Sequence, residues 1–408
     1  MQGSSDILIV GGGLNGCSLA LALAGAGFSV TLIDSQRLDQ QTADTFDGRS
    51  YALALASQRM LAALGLWQAV APDAQPILQI TASDGHAHFG PSPLYLLFDH
   101  AEIEEGPMGW MVEDRHLRQA LLAAIATTPG IRHLSGETVT AQQPQGQQIV
   151  VTLASGSQQA GALLVGCDGR SSGTARRAGI KRTGWPYPQS ALVCAVAHEL
   201  PHHGTAHQLF LPPGPLAILP LHGNRSSIVW TESTRQAAAI QALDDRGYLA
   251  ALQPRFGEFL GQISLAGARY SYPLALSLAD AMVGPRLALV GDAAHGIHPL
   301  AGQGLNLGLR DSAALAEVLA AARRRGEEIG APEVLARYQG WRRFDTATLA
   351  LATDGFNRLF SNDNPLLRLG RDVGLGLTNA VPSLRRCLIR EAAGLSGDLP
   401  RLMQGKAV

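Results

Sequence analysis

Residues 7–33 carry no charged side chain, and this narrows what the start of the chain can become. An uncharged run of that length either crosses a bilayer or is buried inside a folded domain. It is interrupted by Gly11, Gly12, Gly13, Gly16, Gly25 and Gly27, and by Asn15, Cys17 and Ser18. No basic segment precedes it, so neither a membrane span nor a secretory leader is expected. The run divides instead into a buried strand at 6–10, a glycine turn, a helix of small and apolar residues at 14–26, and a strand at 29–33 ending on Asp34. That is a compact strand–helix–strand unit.

The turn reads Gly11-Gly12-Gly13-Leu14-Asn15-Gly16. Glycines in this spacing permit a tight turn and bring backbone close to a pyrophosphate, while the helix start offers partial positive charge to the phosphate. Asp34 places a carboxylate where ribose hydroxyls can donate to it. Gly11, Gly13, Leu14, Gly16 and Asp34 are therefore candidates for dinucleotide contact. The same spacing also occurs as a plain packing turn, and alone it does not separate FAD from NAD.

Two later segments bear on that choice. Cys167-Asp168-Gly169 follows a fully apolar strand expected at 162–167, and Gly291-Asp292 follows another at 287–290. The chain then runs through Ala293, Ala294, His295, Gly296, Ile297, His298, Pro299, Leu300, Ala301, Gly302, Gln303, Gly304 and Leu305 to Asn306. A glycine-rich loop that opens a helix presents N–H groups to an electron-rich edge. A nicotinamide site leaves both later segments unexplained.

The remaining chain shows helical spacing at 49–64, 113–126 and 305–323. Strand patterns stand at 77–83 and 86–89 around a turn at Asp84-Gly85, and at 131–134 and 149–153. From 190 to 272 short strands alternate with Pro/Gly turns, as in a second, antiparallel sheet. Beyond Pro332 the pattern is helical. The length of 408 residues allows two or three domains, and a net charge of −1 disfavours nucleic acid as a main partner. Cys17, Cys167, Cys194 and Cys387 form no C-x-x-C pair and read as buried, reduced thiols.

The segment from His298 to Asp311 matches the pattern H-P-x-A-G-Q-G-x-N-x-G-x-x-D. With it go Asp47-Gly48-Arg49, Ala52-Leu53-Ala54, the stretch from Gly214 to Pro220, Val229-Trp230, then Tyr338, Arg342 and Asp345, and finally Gly394, Gly397, Pro400 and Leu402. Over nearly its whole length the chain resembles the group A flavoprotein monooxygenases of the para-hydroxybenzoate hydroxylase class. More narrowly it resembles the FAD-dependent hydroxylases of ubiquinone biosynthesis. It departs from the family where Asp-Gly and Ser are followed three residues later by Arg: Ser172 fits, but Ala175 holds the Arg position and Arg176 comes one place late.

The resemblance implies an α/β fold. A Rossmann-like FAD-binding domain would be assembled from 1–75, 101–180 and 281–330. An antiparallel-sheet substrate domain would comprise 76–100 and 181–280, and a C-terminal helical region 331–408. Asp168 and Gly169 would form the second cofactor segment, and Gly291 and Asp292 would hold the ribityl chain. Pro299, Ala301, Gly302, Gln303, Gly304, Leu305 and Asn306 would border the flavin. His298 and Pro299 would position its reactive face, with no acid or base assigned. Arg49 would approach the FAD pyrophosphate or the mobile flavin, or else form a surface salt bridge. Arg115 and Arg118 would reach phosphate or lie on a solvated helix face. In such enzymes reduced FAD and O2 give a C4a-hydroperoxide, and an electron-rich phenol takes its distal oxygen.

The implied substrate is a polyprenylphenol lipid, with a soluble phenolic as the alternative. Electrons would come from NAD(P)H or a redox partner, and other ubiquinone-biosynthesis proteins are expected partners. No metal is expected: His295 and His298 lack a third ligand, and His202, His203 and His207 read as a polar loop. Trp185, Tyr187 and Trp230 line a pocket or pack a core. The arginines at 368, 371, 385, 386 and 390 mark either a packing helix or a surface touching an anionic membrane. The expected location is cytoplasmic, with peripheral contact at the inner face of the membrane.

Overall fold

The computed structural model describes residues 4–41, 45–86, 90–297, 302–362 and 364–408. Ser4–Val10 lies at the centre of a parallel array, with Val30–Asp34 and then Ile131–Ser135 on one side. Gln158–Gly166 and then Leu287–Leu289 lie on the other. Ile7, Leu8 and Ile9 are wholly buried, as expected of strands covered on both faces. Helix Leu14–Gly25 packs against helix Gln303–Arg324. Asn15 seats between Gly291 and Gly308; a Cβ on either glycine would stand 2.4 or 2.2 Å from its amide nitrogen. The starts of the two helices are thereby locked side by side.

A second sheet runs from His295–Gly296 through Tyr270–Ala279, Arg182–His198, Arg225–Ser233, Gly214–Leu221, Thr205–Leu211 and Gln79–His86 to Gly90–Asp99. Its pairs are antiparallel except Thr205–Leu211 with Gln79–His86, which run parallel. Ser50–Ala54, Gly109–Glu113 and Gln75–Ile77 make a small third sheet. The segment after Leu287–Leu289 leaves the first sheet and joins the second at His295–Gly296, so it bridges the two. Three helices follow: Pro332–Phe360, Pro365–Ala380 and Pro382–Ala392.

Three expectations need correction. The helix expected at 49–64 begins only at Leu55, because Ser50–Ala54 finds an antiparallel partner in Gly109–Glu113. Asp84-Gly85 is no turn. It lies inside Gln79–His86, where the register shifts between Ser83 and Gly85, and the expected strand at 86–89 falls largely outside the described residues. The Asp84 carboxylate is buried against Arg371 at 2.7 Å, which keeps this polar pair within the sheet. Of the four cysteines Cys17 and Cys194 are buried, Cys167 is partly so, and Cys387 is exposed on the outer side of its helix.

Candidate functional site

The glycine turn is shaped by two different needs. Gly11 has φ +102° and no room: a Cβ would stand 2.4 Å from the Cys167 carbonyl oxygen. Gly16 would drive a Cβ into the Gly11 oxygen at 1.9 Å. These two serve packing. A Cβ on Gly13 would meet no protein atom within 4 Å. Gly13 is also the N-cap of Leu14–Gly25, and no side chain caps that helix start. Open space before an uncapped helix N-terminus fits an anion. Asp34, at its strand end, accepts from Gln36 N at 2.8 Å and lies against Gly12. Burial and the Asp34 charge push the Cys17 thiol up to about 12, so it stays protonated and inert.

Beside this turn Asp114 gathers Arg118 at 3.1 Å, Arg49 at 3.4 Å and the Tyr51 hydroxyl at 3.1 Å. The Arg118 charge of this cluster reaches Cys17. Arg49 also pairs with Asp47 at 2.7 Å. Arg115 is turned toward Glu113 at 2.8 Å and Phe46, apart from the cluster. Tyr51 carried no sequence signal for this role.

Asp168 spends its carboxylate on the turn it opens: Ser172 donates to one oxygen, and Thr174 N and Oγ1 donate to the other at 2.9 Å each. Gly169 has φ +78°. Arg176 is exposed, while Arg177 reaches the Val139 carbonyl at 3.0 Å. The arginine that joins segments is Arg170, whose Nε donates to Asp292 at 3.0 Å. It follows directly on Asp168-Gly169, ahead of the position where the family pattern carries its arginine.

Gly291 has φ +64°, and its N–H donates to Asp311 at 3.1 Å. His295 donates to the same carboxylate oxygen, and Arg342 binds the other at 2.8 Å. Arg342 continues to Asp345 at 2.7 Å. Burial opposes the Asp311 charge, but His295 and Arg342 outweigh it and hold its pKa below the usual carboxylate range. This buried network clamps the bridge between the sheets.

His298, Pro299 and Ala301 lie outside the described residues. Gly302, at φ +65°, caps Gln303–Arg324 without a side-chain bond, and a Cβ on Gly304 would meet nothing. The N–H groups of Gln303, Gly304 and Leu305 thus sit in a second uncapped helix start. Asn306 is consumed internally. Its Oδ1 accepts from Ala54 N at 2.9 Å and Ser57 Oγ at 2.7 Å, and its Nδ2 donates to Ala52 O at 2.8 Å and Gly302 O at 3.1 Å. It fastens the helix start to the Ser50–Ala54 strand.

Against this helix opens a cavity of about 510 Å³, reached by Gln303, Asn306, Leu307 and Arg310. Most of its wall is apolar, including Leu96, Phe98, Phe210, Leu349, Phe356 and Phe360. Of Trp185, Tyr187 and Trp230, Tyr187 is buried and hydrogen-bonded to Asp354, Trp230 packs inside a core and Trp185 is exposed; none lines the cavity. Among the described residues no cluster of His, Cys, Asp and Glu has the makings of a metal site. The site therefore brings together two uncapped helix starts, the carboxylates of Asp34 and Asp292 and an apolar chamber. Such an arrangement binds a dinucleotide cofactor and leaves the chemistry to it.

Residues 4–349 match the FAD binding domain family. Ubiquinone hydroxylase UbiL of Rhodospirillum rubrum is 46% identical over 98% of this chain and 93% of its own. The 3-demethoxyubiquinol 3-hydroxylase of Escherichia coli is 36% identical over 96% of this chain and 99% of its own. The crystal structure of p-nitrophenol 4-monooxygenase PnpA from Pseudomonas putida superposes with a TM-score of 0.80 at 19% identity, covering 97% of this chain and 99% of that one. The chain is an FAD-dependent aromatic hydroxylase and belongs to the family of the ubiquinone-biosynthesis hydroxylases.

Proposed function

We propose that the protein adds a hydroxyl group to the aromatic ring of a polyprenylphenol on the route to ubiquinone, taking O2 and electrons from NAD(P)H or a redox partner. The cavity carries this reading. Its apolar wall suits a prenyl chain, and its lining includes the helix start at Gln303. At about 510 Å³ the cavity has the size of an ordinary ligand pocket, and it is the mostly apolar wall that favours a prenylated phenol over a small polar one.

Gly13, Leu14 and Asp34 take the ADP half of FAD in this reading, on a turn that Gly11 and Gly16 keep tight, with Arg49 and Arg118 supplying positive charge near the pyrophosphate. Asp168 and Gly169 shape the adjoining turn, and Gly291 and Asp292 receive the ribityl chain. The N–H groups of Gln303, Gly304 and Leu305 face the pyrimidine edge, where negative charge collects on reduction. Bound and reduced, FAD supplies the oxygen-activating chemistry. The chain orients the ring, keeps water out and holds the cofactor. The substrate is a lipid, so the protein works in the cytoplasm at the inner face of the membrane, in company with other enzymes of the pathway.

The test supplies FAD-loaded protein with a chemical reductant, O2 and a short-chain polyprenylphenol, and follows O2 uptake and product mass. A product heavier by one oxygen is expected. Turnover of simple phenols with none of prenylated ones would overturn the reading in favour of a soluble aromatic. Quinone lipids from cells lacking the gene would name the ring position.

A further inference from the structure

Over residues 344–357 the long helix Pro332–Phe360 turns an uncharged face outward. Between 344 and 357 its only charged residues are Asp345 and Asp354, and both point inward, to Arg342 and to Tyr187, at 2.7 Å each. Outward stand Phe344, Thr348, Leu351, Gly355 and Leu359. Their spacing is that of one helical stripe. Phe344 is 77% exposed and Leu351 70%. The adjoining helix Pro365–Ala380 repeats the pattern with exposed Leu367, Gly370, Gly374 and Leu377, the last 63% exposed. Single exposed apolar residues are ordinary, whereas two neighbouring uncharged stripes mark a surface that is covered in use.

The surface is continuous with the cavity. Phe344, Thr348, Ala352 and Phe356 are exposed and also line it. We propose that the face formed by Phe344, Leu351, Leu359, Leu367 and Leu377 seats in the apolar layer of a lipid bilayer, so that a prenyl tail passes from the bilayer into the cavity without crossing water. This rests on the polyprenylphenol reading. A protein seated on the same residues would cover the rim the tail must cross, whereas a bilayer both covers the face and delivers the tail. Among the described residues no helix is long and apolar enough to cross a membrane, so the contact is peripheral.

The arginines that the sequence offers for membrane contact are mostly engaged elsewhere. Arg371 binds Asp84 at 2.7 Å, Arg385 binds Glu102 at 2.8 Å and Arg390 binds Glu105 at 2.6 Å. Arg343 and Arg386 are exposed and can meet headgroups. Attachment is therefore chiefly apolar and only weakly sensitive to salt.

FAD-loaded protein is floated with phosphatidylcholine vesicles holding a minor share of phosphatidylglycerol, at low and high salt. The wild type is expected to float at both. The double variant Leu351→Gln/Leu377→Gln, whose positions lie outside the cavity, is expected to bind on the order of tenfold less. It should hydroxylate a short-chain, water-soluble prenylphenol normally and lose turnover of a long-chain one embedded in vesicles. A wild type that does not float, a variant that floats equally well, or binding abolished by salt overturns the proposal. Short-chain hydroxylation intact in any of those cases leaves the hydroxylase reading standing.

Discussion

Asn306→Ala separates fastening from cofactor contact. The Asn306 amide makes four hydrogen bonds, two accepted from Ala54 N and Ser57 Oγ and two donated to Ala52 O and Gly302 O. At about 0.5–1.5 kcal/mol net for each, their sum is about 2–6 kcal/mol. Ser57, Ala54 and Asn306 border the cavity, so water can repair part of the loss, and about 3 kcal/mol is the expected cost. Urea titration of the cofactor-free and the FAD-loaded protein reads the cost, and flavin fluorescence reads the FAD Kd. A fastener predicts a lower midpoint without cofactor and a raised Kd, because the helix start at Gly302 loses its anchor. A direct flavin ligand predicts an unchanged cofactor-free midpoint and a raised Kd alone. A loss below about 1 kcal/mol in the cofactor-free protein refutes the fastening argument. Asn306→Asp keeps the accepting oxygen but sets a negative oxygen against two carbonyls, and should be no milder than the alanine variant.

Gly13→Ala should leave cofactor-free stability within about 0.5 kcal/mol while weakening FAD binding. Gly11→Ala, which combines φ +102° with a 2.4 Å clash at Cys167 O, should lose about 3 kcal/mol or more in the same titration; equal effects would contradict the split between packing and cradle glycines. Burial pushes His207 from 6.5 down to about 4. Above pH 6.5 it is neutral folded and unfolded; from there down to 4 only the unfolded chain takes up its proton, so stability falls by about 3 kcal/mol in all. His207→Gln should flatten that part of a stability–pH profile, and parallel profiles would show that the imidazole titrates freely. Asp84→Ala leaves the Arg371 charge buried without its carboxylate and should cost about 3–5 kcal/mol. Faster proteolysis between 365 and 392 is the sign to look for, and unchanged cutting would mean the pair does not hold that helix.

The cofactor half of the site was legible because its demands are local. Gly11, Gly13 and Gly16 answer to one turn and one helix start, and Asp34 follows from where the next strand must end. Three apolar strands in a row, each followed by Gly and Asp or by glycines, then repeat that logic at 168 and 291. What stayed hidden depends on partners far along the chain. Residues 50–54 have helical spacing, yet they become a strand because Gly109–Glu113 offers them an edge. Asp84-Gly85 has the composition of a turn, yet Arg371, remote in sequence, lets a carboxylate lie buried in a strand. Asn306 sits in the motif as a cofactor residue, and only the Ser50–Ala54 strand shows that its amide is already spent. The tail arginines depend on distant partners in the same way. The sequence leaves open a packing helix or a surface touching an anionic membrane, and only Asp84, Glu102 and Glu105 show that Arg371, Arg385 and Arg390 are held in ion pairs. Motifs that face a ligand are thus readable from a chain, because the ligand sets the residue types and the spacing. The residues that brace those motifs are set by tertiary neighbours, and a single sequence carries no spacing rule for them.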